Sequence, residues 1–71
     1  MEYTIHLNWD PEAAVWIATS SDIIGLVLES GSADALMERV RHAVPELLEL
    51  NGQAPAEALR FLLERCDRVS A

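Results

Sequence analysis

The stretch at residues 33–52 reads ADALMERVRHAVPELLELNG and contains a sustained periodic pattern of apolar residues. Its apolar residues recur at spacings of three and four, which is typical of a helix with one buried face. The apolar set is Ala33, Leu36, Met37, Val40, Val44, Leu47 and Leu48. The sequence therefore predicts an amphipathic helix whose apolar stripe packs against another element.

The two ends of this helix carry residues that cap helices. Ser32 can accept a hydrogen bond from a free amide of the first turn, and Asp34 lies where the helix macrodipole favours a carboxylate. Gly52 readily takes the left-handed conformation of a C-terminal cap. Pro45 removes one amide inside the pattern, but the apolar stripe keeps its phase across it. We therefore expect one kinked helix rather than two separate helices.

Upstream of the helix, the sequence predicts three short strands. Residues 3–9 (YTIHLNW) alternate strictly between apolar and polar, which is typical of a half-buried strand. Asp10 and Pro11 then favour a turn, and residues 14–19 (AVWIAT) are rich in β-branched and aromatic residues. A third strand is predicted at residues 26–29, after Gly25.

The segment after the helix is ambiguous by pattern alone. Leu59, Leu62, Leu63 and Cys66 suit a helix, whereas Leu59, Phe61 and Leu63 suit a strand. Periodicity and propensity favour the helix slightly.

The 71 residues, 51% of them apolar, predict one small globular domain over residues 1–71. A chain of this size buries only about 60% of its unfolded surface, and its core rarely supplies more than roughly 3–5 kcal/mol. We therefore expect a homodimer, a higher homo-oligomer or a partner protein to add stability.

The charge of the chain restricts its partners. Twelve Asp and Glu stand against five Arg, there is no Lys, and the net charge is −7. The Arg residues are scattered among carboxylates instead of forming a stripe, so we expect no direct binding of nucleic acid. An acidic surface suits a basic partner protein, although it can also serve solubility alone.

The sequence also bears on location. No basic segment followed by an apolar stretch marks a signal peptide, and the apolar runs are too short to span a membrane. We expect a cytoplasmic protein, in which the single Cys66 is an ordinary small apolar residue.

A set of residues resembles the short HicB-like family of bacterial proteins. The similarity covers roughly residues 3–52, and its most specific part is the Val-Pro-Glu-Leu-Leu run of the helix, because Pro is unusual inside an amphipathic helix. Ile24 departs from the Pro that usually precedes the Gly in this family. The matching residues are Trp9-Asp10, Glu12-Ala13, Val15-Trp16-Ile17-Ala18, Ser20, Asp22-Ile23, Gly25-Leu26, Glu29, Arg39-Val40-Arg41 and Val44 to Gly52.

The resemblance implies an α+β fold of order β-β-β-α-β, related to a partial RNase H-like core. In it, one kinked helix packs on one face of an antiparallel sheet. On this basis residues 58–64 are assigned to a fourth strand, against the slight helical preference of the pattern.

The resemblance also implies a function. HicB proteins are antitoxins that mask a small basic mRNA interferase of the HicA type. Many add a C-terminal DNA-binding module, for which the segment after Gly52 is too short beside a fourth strand, so we expect no operator binding. The alternative is a stand-alone homo-oligomer of the same fold, without a toxin partner.

One strand is a candidate interface, because both of its faces are apolar. In a regular hairpin, Trp16 shares a face with polar residues of the first strand, and an aromatic flanked by small residues makes a good anchor for a partner. Alternatively, Trp16 packs under the helix and Val15 and Ile17 face outward. The candidate interface residues are Thr4, His6, Asn8, Ala14, Trp16 and Ala18.

No catalytic, cofactor or metal site is predicted. Asp10, Glu12, Asp22 and Glu29 could suggest a two-metal nuclease, but acidic residues commonly cap turns and no pair has a spacing that fixes two ligands on one element. His6 and His42 lie on different elements, and Glu38 stands four residues before His42, as in an ordinary helix-surface pair. We therefore expect a protein that is not an enzyme.

Overall fold

A computed structural model describes residues 1–67 and residue 69. Its elements follow the predicted order, with three strands, one helix and a last strand. Their bounds are β1 Glu2–Asp10, β2 Val15–Thr19, β3 Val27–Ser30, α1 Ala33–Leu50 and β4 Ala58–Glu64. The α+β class and the packing of one helix on one face of the sheet are confirmed.

The four strands form one mixed sheet in the order β3-β2-β1-β4. β2 pairs antiparallel with both β1 and β3, as expected for a meander, whereas β4 pairs parallel with β1. The parallel pair arises because α1 carries the chain back across the sheet, so that β4 runs in the same direction as β3 and β1. The antiparallel arrangement therefore holds for the first three strands.

β4 resolves the ambiguity of the C-terminal segment in favour of a strand. Its bounds, Ala58–Glu64, are those implied by the family resemblance, and the slight preference of the pattern for a helix is wrong. Leu59 and Phe61 lie on the face that carries α1 and pack against the core. The pairing of all of β4 with residues 2–8 of β1 and this contact outweigh the local propensity.

The core lies between α1 and the sheet. The helix contributes residues spaced four apart, and the odd-numbered positions of β1 meet them from the sheet. Ile23 and Leu26, in the loop before β3, close the core at one end. The buried residues are Tyr3, Ile5, Leu7, Ala18, Ile23, Leu26, Leu36, Val40, Val44 and Leu48.

Both predicted caps of α1 are present. The Ser32 hydroxyl accepts a hydrogen bond from the Ala35 amide at 3.3 Å. At the other end Gly52 has φ +66°, its amide donates to the Glu49 carbonyl, and the Gln53 amide donates to the Leu48 carbonyl at 2.8 Å. This pair of bonds is the Schellman motif. Pro45 lies exposed within α1, which is one helix and not two, as expected.

Candidate interaction surfaces

The register of the first hairpin decides which residues share a face. Asp10 pairs with Val15, so Trp9 pairs with Trp16 and even-numbered residues of β2 lie opposite odd-numbered residues of β1. The expectation that Trp16 shares a face with Thr4, His6 and Asn8 is therefore wrong. The cause is the four-residue turn, which shifts the pairing by one relative to a turn of odd length.

The six candidate interface residues separate into three groups. Thr4, His6 and Asn8 lie together on the face opposite α1. Trp16 and Ala18 lie on the α1 face, where Ala18 is fully buried and out of reach of a partner. The remaining residue, at position 14, belongs to the turn. The alternative placement, with Trp16 towards the helix and residues 15 and 17 outward, is the observed one.

Ala14 has a left-handed backbone with φ +54°, which closes the turn between β1 and β2. The Asp10 carboxylate stabilises the same turn by accepting hydrogen bonds from the amides of Glu12 at 3.0 Å and Ala13 at 3.4 Å. This use of Asp10 was expected from the sequence. The Asp10 carboxylate is therefore hydrogen-bonded to backbone amides of its own turn.

The face opposite α1, here called the open face, is a mixed surface. Two rows of side chains cross it, and neighbours within each row come from adjacent strands. Both rows combine apolar and polar groups, so the open face does not form a continuous apolar patch. The rows are Val27, Thr19, His6 and Leu62, and Glu29, Ile17, Asn8 and Glu64.

Side chains extend the pairing of β1 beyond the end of β2. The Ser20 hydroxyl donates to the Thr4 carbonyl at 2.6 Å, and the Asp22 carboxylate accepts from the Thr4 amide at 3.0 Å. The C-terminal cap of α1 holds the same loop, because the Gln53 side chain donates to the Asp22 carbonyl and the Asn51 side chain donates to the Ile24 carbonyl. The loop is therefore fixed from both sides.

The four carboxylates considered for a nuclease do not form a metal site. Asp10 and Asp22 are occupied by backbone amides, and Glu29 lies on the open face. In the part of the chain that the structure describes, no three His, Cys, Asp or Glu side chains are grouped to hold a metal ion.

An aromatic cluster lies at one end of the α1 face. The rings of Trp9 and Trp16 meet edge to face, and the Arg65 guanidinium lies over the Trp9 ring at 4.3 Å from its centroid. The Asp67 carboxylate pairs with the same guanidinium at 3.0 Å. The cluster thus holds Arg65 and Asp67, which follow β4.

The exposed side of α1 carries a line of carboxylates, here called the acidic stripe: Asp34, Glu38, Glu46 and Glu49. At 100° per residue these positions lie on the side opposite the buried stripe. Glu38 pairs with Arg41 at 2.7 Å and with His42 at 3.2 Å. Within residues 1–67 and 69, the other three carboxylates form no ion pair.

The Arg side chains at 39, 41, 60 and 65 are all engaged within the molecule. Arg39 donates to the Glu29 carbonyl at 2.7 Å, and Arg60 pairs with Glu2 at 3.2 Å. Arg41 and Arg65 take part in the contacts described above. Because twelve Asp and Glu stand against five Arg, the net field that a partner meets is negative.

A family model for a domain of unknown function, DUF1902, matches residues 2–70. The chain belongs to this family. It is similar to the crystal structure of a hypothetical protein, TTHA1013, from the extremely thermophilic bacterium Thermus thermophilus, with 34% identity and a TM-score of 0.78. The similarity covers 100% of both chains. No curated protein matches this DUF1902 member.

No helix in the described part of this DUF1902 protein is long and apolar enough to cross a membrane.

Proposed function

We propose that this DUF1902 protein is an antitoxin-type binding module of the HicB kind, which masks a small basic mRNA interferase of the HicA type. Support comes from the resemblance over residues 3–52 and from the acidic stripe of α1. The role needs no catalytic residue or cofactor in this chain. It assigns the protein to the cytoplasm, where mRNA is translated.

The observation that carries the proposal is the position of Glu49. It lies in the last turn of α1, where the helix macrodipole is negative, and that turn contains no basic residue. A carboxylate there is destabilising by roughly 0.3–1 kcal/mol, whereas Lys or Arg would be stabilising. Residues that oppose local stability are often kept for function. A cationic partner would relieve this repulsion.

The engagement of the Arg side chains supports the same partner chemistry. Arg41 is paired with Glu38 and Arg39 donates to the Glu29 carbonyl, so neither forms an ion pair with Glu46 or Glu49. Because the stripe is exposed, salt should weaken the attraction of a basic partner.

The test is purification of a tagged chain from its native host at low salt, followed by identification of co-purifying proteins. We expect a small basic protein that cleaves RNA when isolated and is inhibited when this chain is added back. Self-association without any such protein contradicts the proposal.

Matched variants connect the partner to the acidic stripe. The double substitution Glu46→Gln and Glu49→Gln should lower the affinity for the basic protein. The control, Glu12→Gln with Glu29→Gln, changes the net charge equally at exposed side chains of the first turn and of the open face. Equal weakening by both pairs would mean that overall charge, and not the stripe, attracts the partner.

A stand-alone homo-oligomer is the second candidate function. The specific observation in its favour is the composition of β4, which lies at the edge of the sheet and exposes large apolar side chains.

A further inference from the structure

β4 is an edge strand whose composition suits the interior of a sheet. It pairs with β1 on one side only; its α1 face carries Leu59, Phe61 and Leu63, and its open face sets Leu62 between Arg60 and Glu64. Leu62 on the open face is 44% exposed, and Leu63 on the α1 face is 47% exposed. Near-continuous apolar runs are typical of strands that have neighbours on both sides or covers on both faces.

The helix leaves this edge largely uncovered. α1 packs most closely on β3 and β2, at the other side of the sheet. Between α1 and β4 runs a groove of about 460 Å³, whose lining includes Val44, Pro45, Leu59 and Phe61. The apolar side chains of β4 therefore have room for further contacts.

β4 also lacks the features that prevent an edge strand from pairing with a strand of another chain. It has seven residues in unbroken register with β1, and it contains no Pro, Gly or bulge. An edge of this kind presents free amides and carbonyls to any strand that can pair with it. Its only charged residues are Arg60 and Glu64, and they have opposite signs.

We propose that β4 pairs antiparallel with β4 of a second copy, with Leu62 on the two-fold axis. Arg60 then lies opposite Glu64 of the second copy, and the symmetry repeats this pair. On the other face Phe61 lies opposite Leu63 of the second copy. The two sheets join into one of eight strands, with both helices on the same side.

Charge complementarity favours this register, and it favours a second copy of the same chain as the partner. With Phe61 on the axis, Arg60 lies opposite Leu62; with Leu63 on the axis, Leu62 lies opposite Glu64. Registers whose axis falls between two residues also separate Arg60 from Glu64. Only the register centred on Leu62 forms two opposite-charge pairs and sets leucine against leucine at its centre, and directly opposed pairs of these kinds stabilise sheets.

The charge-swap experiment tests the pairing. By sedimentation equilibrium we expect the wild-type chain to form dimers, and Arg60→Glu or Glu64→Arg alone to raise the dissociation constant about tenfold or more. The double swap should restore association towards the wild-type value. A monomeric wild-type chain, or single swaps without effect, overturns the proposal.

One control separates the dimer contact from the contact within the chain. Arg60 also pairs with Glu2 of its own β1. Glu2→Gln removes that pair and should leave the dissociation constant unchanged. If Glu2→Gln weakens the dimer as much as Arg60→Glu does, the effect of Arg60 is internal and the proposed register is wrong.

Cross-linking tests the register directly. In a Cys66→Ser background, Leu62→Cys places two thiols opposite each other, within the Cα separation that a disulfide allows. Leu63→Cys leaves its two copies about 8 Å apart, which is too far. We expect mild oxidation to link the first variant and not the second, with circular dichroism confirming that both fold. Preferential linking at position 63 contradicts the register.

This inference does not rest on the proposed masking of a toxin. Dimerisation of the purified chain and capture of a basic protein are separate measurements, so either can fail while the other succeeds.

Discussion

The indole rings of Trp9 and Trp16 meet edge to face across the first hairpin, with centroids 5.6 Å apart and planes at 60°. This geometry is favourable for aromatic pairs, and both rings lie on the face that carries the helix. Both rings are partly buried, and Trp16 packs against the core.

We therefore expect Trp16→Ala to destabilise the protein by about 2–3 kcal/mol, since a large, partly buried aromatic is removed beside the core. Urea unfolding followed by circular dichroism measures the change. Val15→Ala, which truncates a partly buried residue on the open face, should cost less. If Trp16→Ala keeps full stability and only weakens association, Trp16 acts as an interface anchor.

Ala14 offers a stabilising substitution. Ala14 has φ +54°, a backbone conformation in which its Cβ crowds the following carbonyl oxygen. Glycine relieves this strain, but it also makes the unfolded chain more flexible. We predict a net gain of about 0.5 kcal/mol for Ala14→Gly. Ala13→Gly, without left-handed strain to relieve, should lower stability, and thermal melting distinguishes the two.

Gly52 should be sensitive to the addition of a methyl group. Its φ of +66° is unfavourable for any other residue, so Gly52→Ala should cost about 1 kcal/mol although nothing lies within 4 Å of the new atom. Gly31→Ala is the matched control, since its backbone is not left-handed and its nearest contact is 3.9 Å away. Equal losses for both would show that the cap is not the cause.

A substitution of Glu49 should change the stability of the protein and its affinity for a basic partner in opposite directions. Glu49→Lys replaces an unfavourable charge at the end of α1 with a favourable one, and we expect unfolding to require about 0.5–1 kcal/mol more. The same variant should bind a basic partner more weakly. Glu12→Lys makes the same charge change in the first turn of the chain and should show neither effect to the same degree.

The elements were predictable where short-range signals decide them. Ser32, Gly52 and the three-and-four spacing between them locate the helix, and the alternation in residues 3–9 locates β1. These signals depend on neighbours in sequence, so they can be recognised without knowledge of the tertiary structure.

β4 was not predictable from its own residues. Leu59, Leu62 and Leu63 are compatible with both periods, and pairing with distant β1 decides between them. The family resemblance supplied the strand, because it carries information about the whole fold.

The candidate interface was predicted only in part. Thr4, His6 and Asn8 do share one face, but the face of Trp16 depends on the parity of the turn length, which strand patterns alone do not determine. Arg60, Leu62 and Glu64 were not among the candidate residues, since a strand's place at the edge follows from the order of the sheet. The apolar run in β4 was the available signal.

The parallel pairing of β1 with β4 has a consequence for synthesis of the protein. Glu2 is synthesised long before Ala58, which lies beside it in the sheet. During translation β1 can pair with β2 while its other edge stays open. Closing that edge requires a contact between distant parts of the sequence, which is slow compared with forming a hairpin. Until Ala58 and the residues after it are made, the backbone amides and carbonyls along that edge of β1 have no partner strand within the chain.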